Sequence, residues 1–179
     1  MAGQAGLFLL QAVTGFLSFA LLLRFYMQAF RVSFSNQVGT FVVDLTNWLV
    51  KPLRKALPGL WGLDLASLLP AYLLQVIFTA AVVSLQGDIE AWSSAGLLPL
   101  VLWQGVLATL RMSIYLLIGA LLVQAVLSWV SPYSPLSQPV AQLTRLFLRP
   151  IQRVVPTIGA VDLSPLIAIV LAQVVLMFL

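Results

Sequence analysis

The chain has 179 residues, of which 61% are hydrophobic and 8% charged, and its mean hydropathy is +1.07. Soluble domains carry about 25% charged residues, so this composition excludes a water-covered globule and describes an all-α integral membrane protein with no space for a separate soluble domain. The absence of Cys and His excludes disulfides and thiolate or imidazole chemistry, and nine basic residues against five acidic ones are too sparse for a nucleic-acid-binding face. We therefore expect neither an enzyme nor a bound cofactor.

In chain order, the first span is expected at about Leu7 to Met27. No Lys or Arg precedes Arg24 to make the basic region of a signal peptide, so this stretch is expected to remain as an anchor. A basic connector, 38–58, leads to a second span at 65–85. The turn from Gln86 to Ala95 holds Asp88 and Glu90 and no basic residue. An apolar piece, 96–110, contains Pro99 and stops at Arg111, which predicts an interfacial or re-entrant segment, or else one long bent helix together with the third span. That third span is expected at 112–130, a second basic connector at 136–156, and a fourth span at 163–179. With only 17 residues, the fourth is at the short limit for crossing a hydrocarbon core of about 30 Å.

An internal repeat organises these elements. At an offset of 98 residues, Leu45, Thr46, Pro52, Pro58, Asp64, Leu65, Leu68, Leu73 and Gln75 recur as Leu143, Thr144, Pro150, Pro156, Asp162, Leu163, Leu166, Leu171 and Gln173. Shared Leu could arise by chance between apolar segments, but two Pro, an Asp and a Gln in register could not. The chain thus reads as two tandem repeats, 1–90 and 91–179, each a span, an amphipathic connector and a span, giving four transmembrane helices. Both connectors place apolar residues three and four apart against a polar face, as expected of a segment lying in the headgroup plane. Pro52 and Pro150 predict a kink or two short helices in each.

The basic residues cluster in the connectors, with Arg31, Lys51, Arg54 and Lys55 in the first and Arg145, Arg149 and Arg153 in the second. Short basic loops stay in the cytoplasm, so both connectors are expected there and both termini in the periplasm. Lys51, Arg54, Lys55, Arg145, Arg149 and Arg153 are candidates for binding anionic lipid headgroups or a partner protein, against the simpler role of fixing orientation. Asp64 and Asp162 are placed to cap the spans after them, with a shared cation site as the alternative. Gln75, Gln124 and Gln173 fall within spans, where amides hydrogen-bond between helices or line a polar path. Arg24 and Arg111 lie near predicted span ends and are expected to snorkel. The Trp residues read as interfacial anchors.

The stretch K-P-L-R-K-A-L-P-G-L-W-G-L-D from Lys51 to Asp64, and its partner R-P-I-Q-R-V-V-P-T-I-G-A-V-D-L-S-P from Arg149, resemble the signature of the YggT family of small bacterial and plastid membrane proteins. The second copy departs from the first at Gln152, where the first has Arg54. The resemblance implies no catalytic residue. It implies roles ranging over osmotic or envelope stress, potassium uptake, cell division and maturation of a plastid cytochrome complex. Such dispersed roles suit an organising or assembly factor of the bacterial inner membrane, self-associating or bound to another membrane protein. A transport or channel component, oligomeric and acting in potassium or osmotic adaptation, is the alternative.

Overall fold

The computed structural model describes residues 2–57, 63–85, 96–131, 133–154 and 162–179. Six helices make up these described residues: α1 (Ala2–Ala29), α2 (Gln37–Ala56), α3 (Leu65–Leu85), α4 (Leu97–Val130), α5 (Ser137–Gln152) and α6 (Ser164–Phe178). Three stretches, Gln4–Ala29, Leu65–Leu85 and Leu97–Val130, are long and apolar enough to cross a membrane, and α6 is a shorter apolar helix of 15 residues. Large apolar side chains cover the outside of these helices. Phe8, Ile77, Leu122 and Val126 are each more than half exposed, a surface that water would not tolerate and lipid requires. Polar groups within the long helices turn inward on the backbone. Thr14, Thr109 and Ser113 donate to the carbonyls of Leu10, Gly105 and Thr109 at 2.7–2.8 Å, which satisfies each hydroxyl where no water is at hand.

Of the two expectations for 96–110, the structure has the long helix rather than the interfacial segment: α4 runs unbroken for 34 residues, about 51 Å at 1.5 Å per residue. Two features that read as breaks do not act as breaks. Pro99 is the third residue of the helix, where its missing N–H would have had no intrahelical partner. Arg111 does not mark a helix end, because its guanidinium reaches the backbone oxygen of Leu179 at the end of α6. Nor do Pro52 and Pro150 split the connectors. Each lies close to the C-terminal end of one helix, α2 or α5, and each carbonyl left without its usual donor belongs to an exposed residue, Trp48 or Leu146.

Two cores form, with a bridge between them. Leu21, Leu22, Val50, Ala66, Ala71 and Leu116 join α1, α2, α3 and α4. Leu121, Leu148 and Ala168 join α4, α5 and α6. Met27, Val32 and Leu143 connect the end of α1 to α5, where Phe30 and Phe147 meet edge to face with centroids 6.4 Å apart. The chain enters this bridge through a Schellman ending of α1. Val32 N–H bonds to the Met27 carbonyl at 2.7 Å and Arg31 N–H to that of Gln28 at 3.1 Å, with Arg31 in the left-handed region at φ 56°. Asn36 then caps α2 by accepting the Gly39 N–H at 2.9 Å.

Candidate functional site

Each connector helix buries one side and exposes its basic residues. In α2 the buried residues are Gly39, Val42, Thr46 and Val50, while Lys51, Arg54 and Lys55 are exposed. In α5 they are Leu143, Thr144 and Leu148, while Arg145, Arg149 and Arg153 are exposed. The steps of three and four place each buried set on one face of its helix.

Beneath α2 lies a charged junction. Arg24, expected at the surface, is only 4% exposed. It projects from α1 onto α2, donating from Nη1 to Thr46 Oγ1 at 2.7 Å and from Nη2 to Asn47 Oδ1 at 3.1 Å. Thr46 passes its own hydrogen to the Val42 carbonyl at 2.6 Å. At the C-terminal end of α2, Arg54 grips Asp64 with both sides of its guanidinium, Nη2 to Oδ2 at 2.5 Å and Nε to Oδ1 at 3.3 Å. Its Nη2 also reaches Gln28 Oε1 at 2.8 Å, and Ser67 donates its hydroxyl to Asp64 Oδ2 at 2.7 Å. Asp64 precedes α3 as expected of a cap, yet its carboxylate serves Arg54 and the Ser67 hydroxyl rather than a backbone N–H. One ion pair thereby ties the end of α2 to the start of α3.

Beneath α5 the corresponding contacts are neutral on one side. Thr144 meets Gln124 Oε1 from α4 and the Val140 carbonyl of its own helix. Gln152 donates to Asp162 Oδ2 at 2.9 Å, and Asp162 Oδ1 accepts the Ser164 N–H at 2.9 Å, helping to start α6. Asp64 and Asp162 are thus each engaged by their own connector. Gln75 is buried in α3, whereas Gln173 is exposed on α6. The partners of Arg24 are the part of the site that sequence reasoning missed. Its signal in the sequence is Thr46, which recurs 98 residues on as Thr144.

Burial pushes both carboxyls up, but other contacts outweigh it. Hydrogen bonds from Arg54 and Ser67, with the positive charges of Arg54 and Arg24, hold Asp64 below the usual carboxylate range. Hydrogen bonds from Ser164 and Gln152 do the same for Asp162. A carboxyl whose pKa is lower folded than unfolded contributes stability that is complete above the unfolded value, about 3.9 for Asp, and lost as pH falls through the folded one. Detergent-solubilised protein should therefore keep its thermal stability down to about pH 5 and lose it below about pH 4. The Asp64→Asn/Asp162→Asn double variant should be less stable near neutrality and show a shallower acid decline in a thermal-shift series.

The lipid-facing apolar helices and the polar junctions buried among them define a helical membrane protein whose connector helices are anchored to its spans. A family model described as CCB3/YggT matches residues 3–85 and 103–179, and the chain belongs to that family. It is 37% identical over 169 residues to the "Uncharacterized protein YggT" of Escherichia coli, covering 94% of this chain and 85% of the relative. An uncharacterized Pseudomonas aeruginosa protein is 32% identical over 166 residues, with 92% and 82% covered, and one from Vibrio alginolyticus is 34% identical over 161 residues, with 89% and 85% covered. No solved structure matches.

Proposed function

We propose that this protein is a non-enzymatic organising or assembly factor of the bacterial inner membrane, whose two connector helices engage anionic headgroups of the cytoplasmic leaflet. The reading takes the chain as two tandem repeats with four crossings, α1, α3, α4 and α6, and with both termini in the periplasm. At 15 residues α6 is about 22 Å long, a mismatch that local thinning of the bilayer accommodates.

The observation that carries this reading is the exposure of Lys51, Lys55, Arg145, Arg149 and Arg153 on two helices whose opposite faces are buried. Orientation alone needs basic charge near span ends. It does not need that charge displayed on a helix fastened to the bundle by Arg24 and Arg54.

The purified chain should retain anionic phospholipid through mild-detergent purification, and Arg149→Glu/Arg153→Glu should lower the retained amount several-fold by lipid mass spectrometry. A periplasm-active reporter fused at Gln152 should be silent. Activity there would overturn the topology, and potassium flux through reconstituted protein would overturn the organising role in favour of transport.

A further inference from the structure

The two junctions are related by an exchange of side chains. Thr46 and Thr144, 98 residues apart, each bond to the carbonyl four residues back and each meet a polar side chain from the preceding long helix. In the first half that side chain is Arg24, and it also bonds Asn47 of the connector. In the second half it is Gln124, and the position equivalent to Asn47 is Arg145. The guanidinium has moved from the long helix to the connector. At the far end Arg54, paired with Asp64, is likewise replaced by Gln152, bonded to Asp162.

This exchange accompanies an open space between α4 and α5. A groove of about 340 Å³ is lined by Gln124, Gln138, Gln142, Arg145 and Gln152, with Ala141 and Leu148 at its base. A second cavity of about 210 Å³ shares Gln124 and Ala141 and adds Ser128 and Ser137. Arg145 is exposed, and Gln124, which meets Thr144, also lines the groove with its side-chain amide. The lining therefore supplies one cation together with several amides and hydroxyls that can both donate and accept. Such a set matches a singly charged phosphodiester bearing hydroxyl groups. It matches poorly a dianion, which calls for more positive charge, or a zwitterionic headgroup, which calls for a free carboxylate. Leu127 lines the smaller cavity, an apolar surface of the kind an acyl chain covers.

We propose that the groove between α4 and α5 is a binding site for one glycerol-type anionic phospholipid headgroup, with Arg145 on the phosphodiester and the Gln amides and Ser hydroxyls on the glycerol. In the first half the equivalent guanidinium, Arg24, is already committed to Thr46 and Asn47. This rests on the reading that the connectors engage anionic lipid, and it names one selective site among otherwise diffuse contacts.

The test is native mass spectrometry and lipid titration of the full chain in phosphatidylcholine nanodiscs doped with phosphatidylglycerol or with phosphatidylserine. Wild type should prefer phosphatidylglycerol to phosphatidylserine about tenfold. Arg145→Asn, and separately Gln142→Leu at an exposed position, should erase that preference, while Arg149→Gln should weaken both lipids alike. Inorganic phosphate at millimolar concentration should not compete, whereas glycerophosphoglycerol should. Equal competition by phosphate would make the groove a free-phosphate site and overturn the lipid assignment. Wild-type preference surviving both groove variants, or binding of both anionic lipids without preference, would overturn the groove alone. No preference for either anionic lipid over phosphatidylcholine would overturn the connector reading as well.

Discussion

Asp64→Asn should be the most damaging single substitution at the connector junctions, costing about 2–3 kcal/mol. Removing one partner of a buried ion pair typically costs about 3–5 kcal/mol because the other charge is stranded. The estimate is discounted here because the Arg54 side chain is 44% exposed while that of Asp64 is 3% exposed. Two cations depend on this carboxylate: Arg54, which holds it directly, and Arg24, whose direct partners are both neutral. Asp162→Asn should be milder, about 1 kcal/mol, because an Asn side chain can still pair with Gln152 and accept the Ser164 N–H. Arg54→Gln in the wild-type background supplies the Gln152 contact but leaves the buried Asp64 carboxylate with Arg24 as its remaining nearby cation, so it should cost about 1–2 kcal/mol. Combined with Asp64→Asn it should recover part of the loss, since the stranded charge at position 54 is gone. Apparent melting temperatures of the purified variants measure this order. An Asp64→Asn protein that melts with wild type would show that the pair does not hold α2 to α3.

The helical membrane class and the positions of the connectors were legible because length and apolar periodicity carry them. The expected span 65–85 coincides with α3, the connector 38–58 covers all of α2 but its first residue, and the connector 136–156 encloses α5. What was not legible depends on partners distant in the chain. Arg111 looked like a span end because its acceptor, the Leu179 oxygen, is 68 residues away. Arg24 looked like a snorkelling side chain because Thr46 and Asn47, 22 and 23 residues on, are brought to it only by the turn through Arg31 to Asn36. Arg54 reads in the sequence as a lipid contact and Asp64 as a cap, and a separation of ten residues does not reveal that they bind each other. Gln152, which departs from Arg54 in the sequence, belongs to the same exchange as Gln124 and Arg145.

Gly39→Ala should destabilise the protein by about 2–3 kcal/mol, the upper part of the range for overpacking. A Cβ at this position would lie 2.6 Å from Phe34 Cα and 2.7 Å from its carbonyl oxygen. A flexible side chain could swing aside, but backbone atoms of the turn cannot, so the start of α2 must move. That movement strains the bond from Gly39 N–H to Asn36 and draws Thr46 and Asn47 away from Arg24, leaving a buried cation short of partners. Gly15→Ala in α1 is the matched control. Nothing lies within 4 Å of a Cβ there, so the change should be neutral or stabilising by up to about 1 kcal/mol through helix propensity. Besides melting earlier, the Gly39→Ala protein should be cut faster by trypsin after Lys55, because the connector carrying it is less firmly held. Equal melting temperatures for the two variants would mean that the turn yields without disturbing α2, so that Arg24 keeps Thr46 and Asn47 and the turn does not set the seating of the connector.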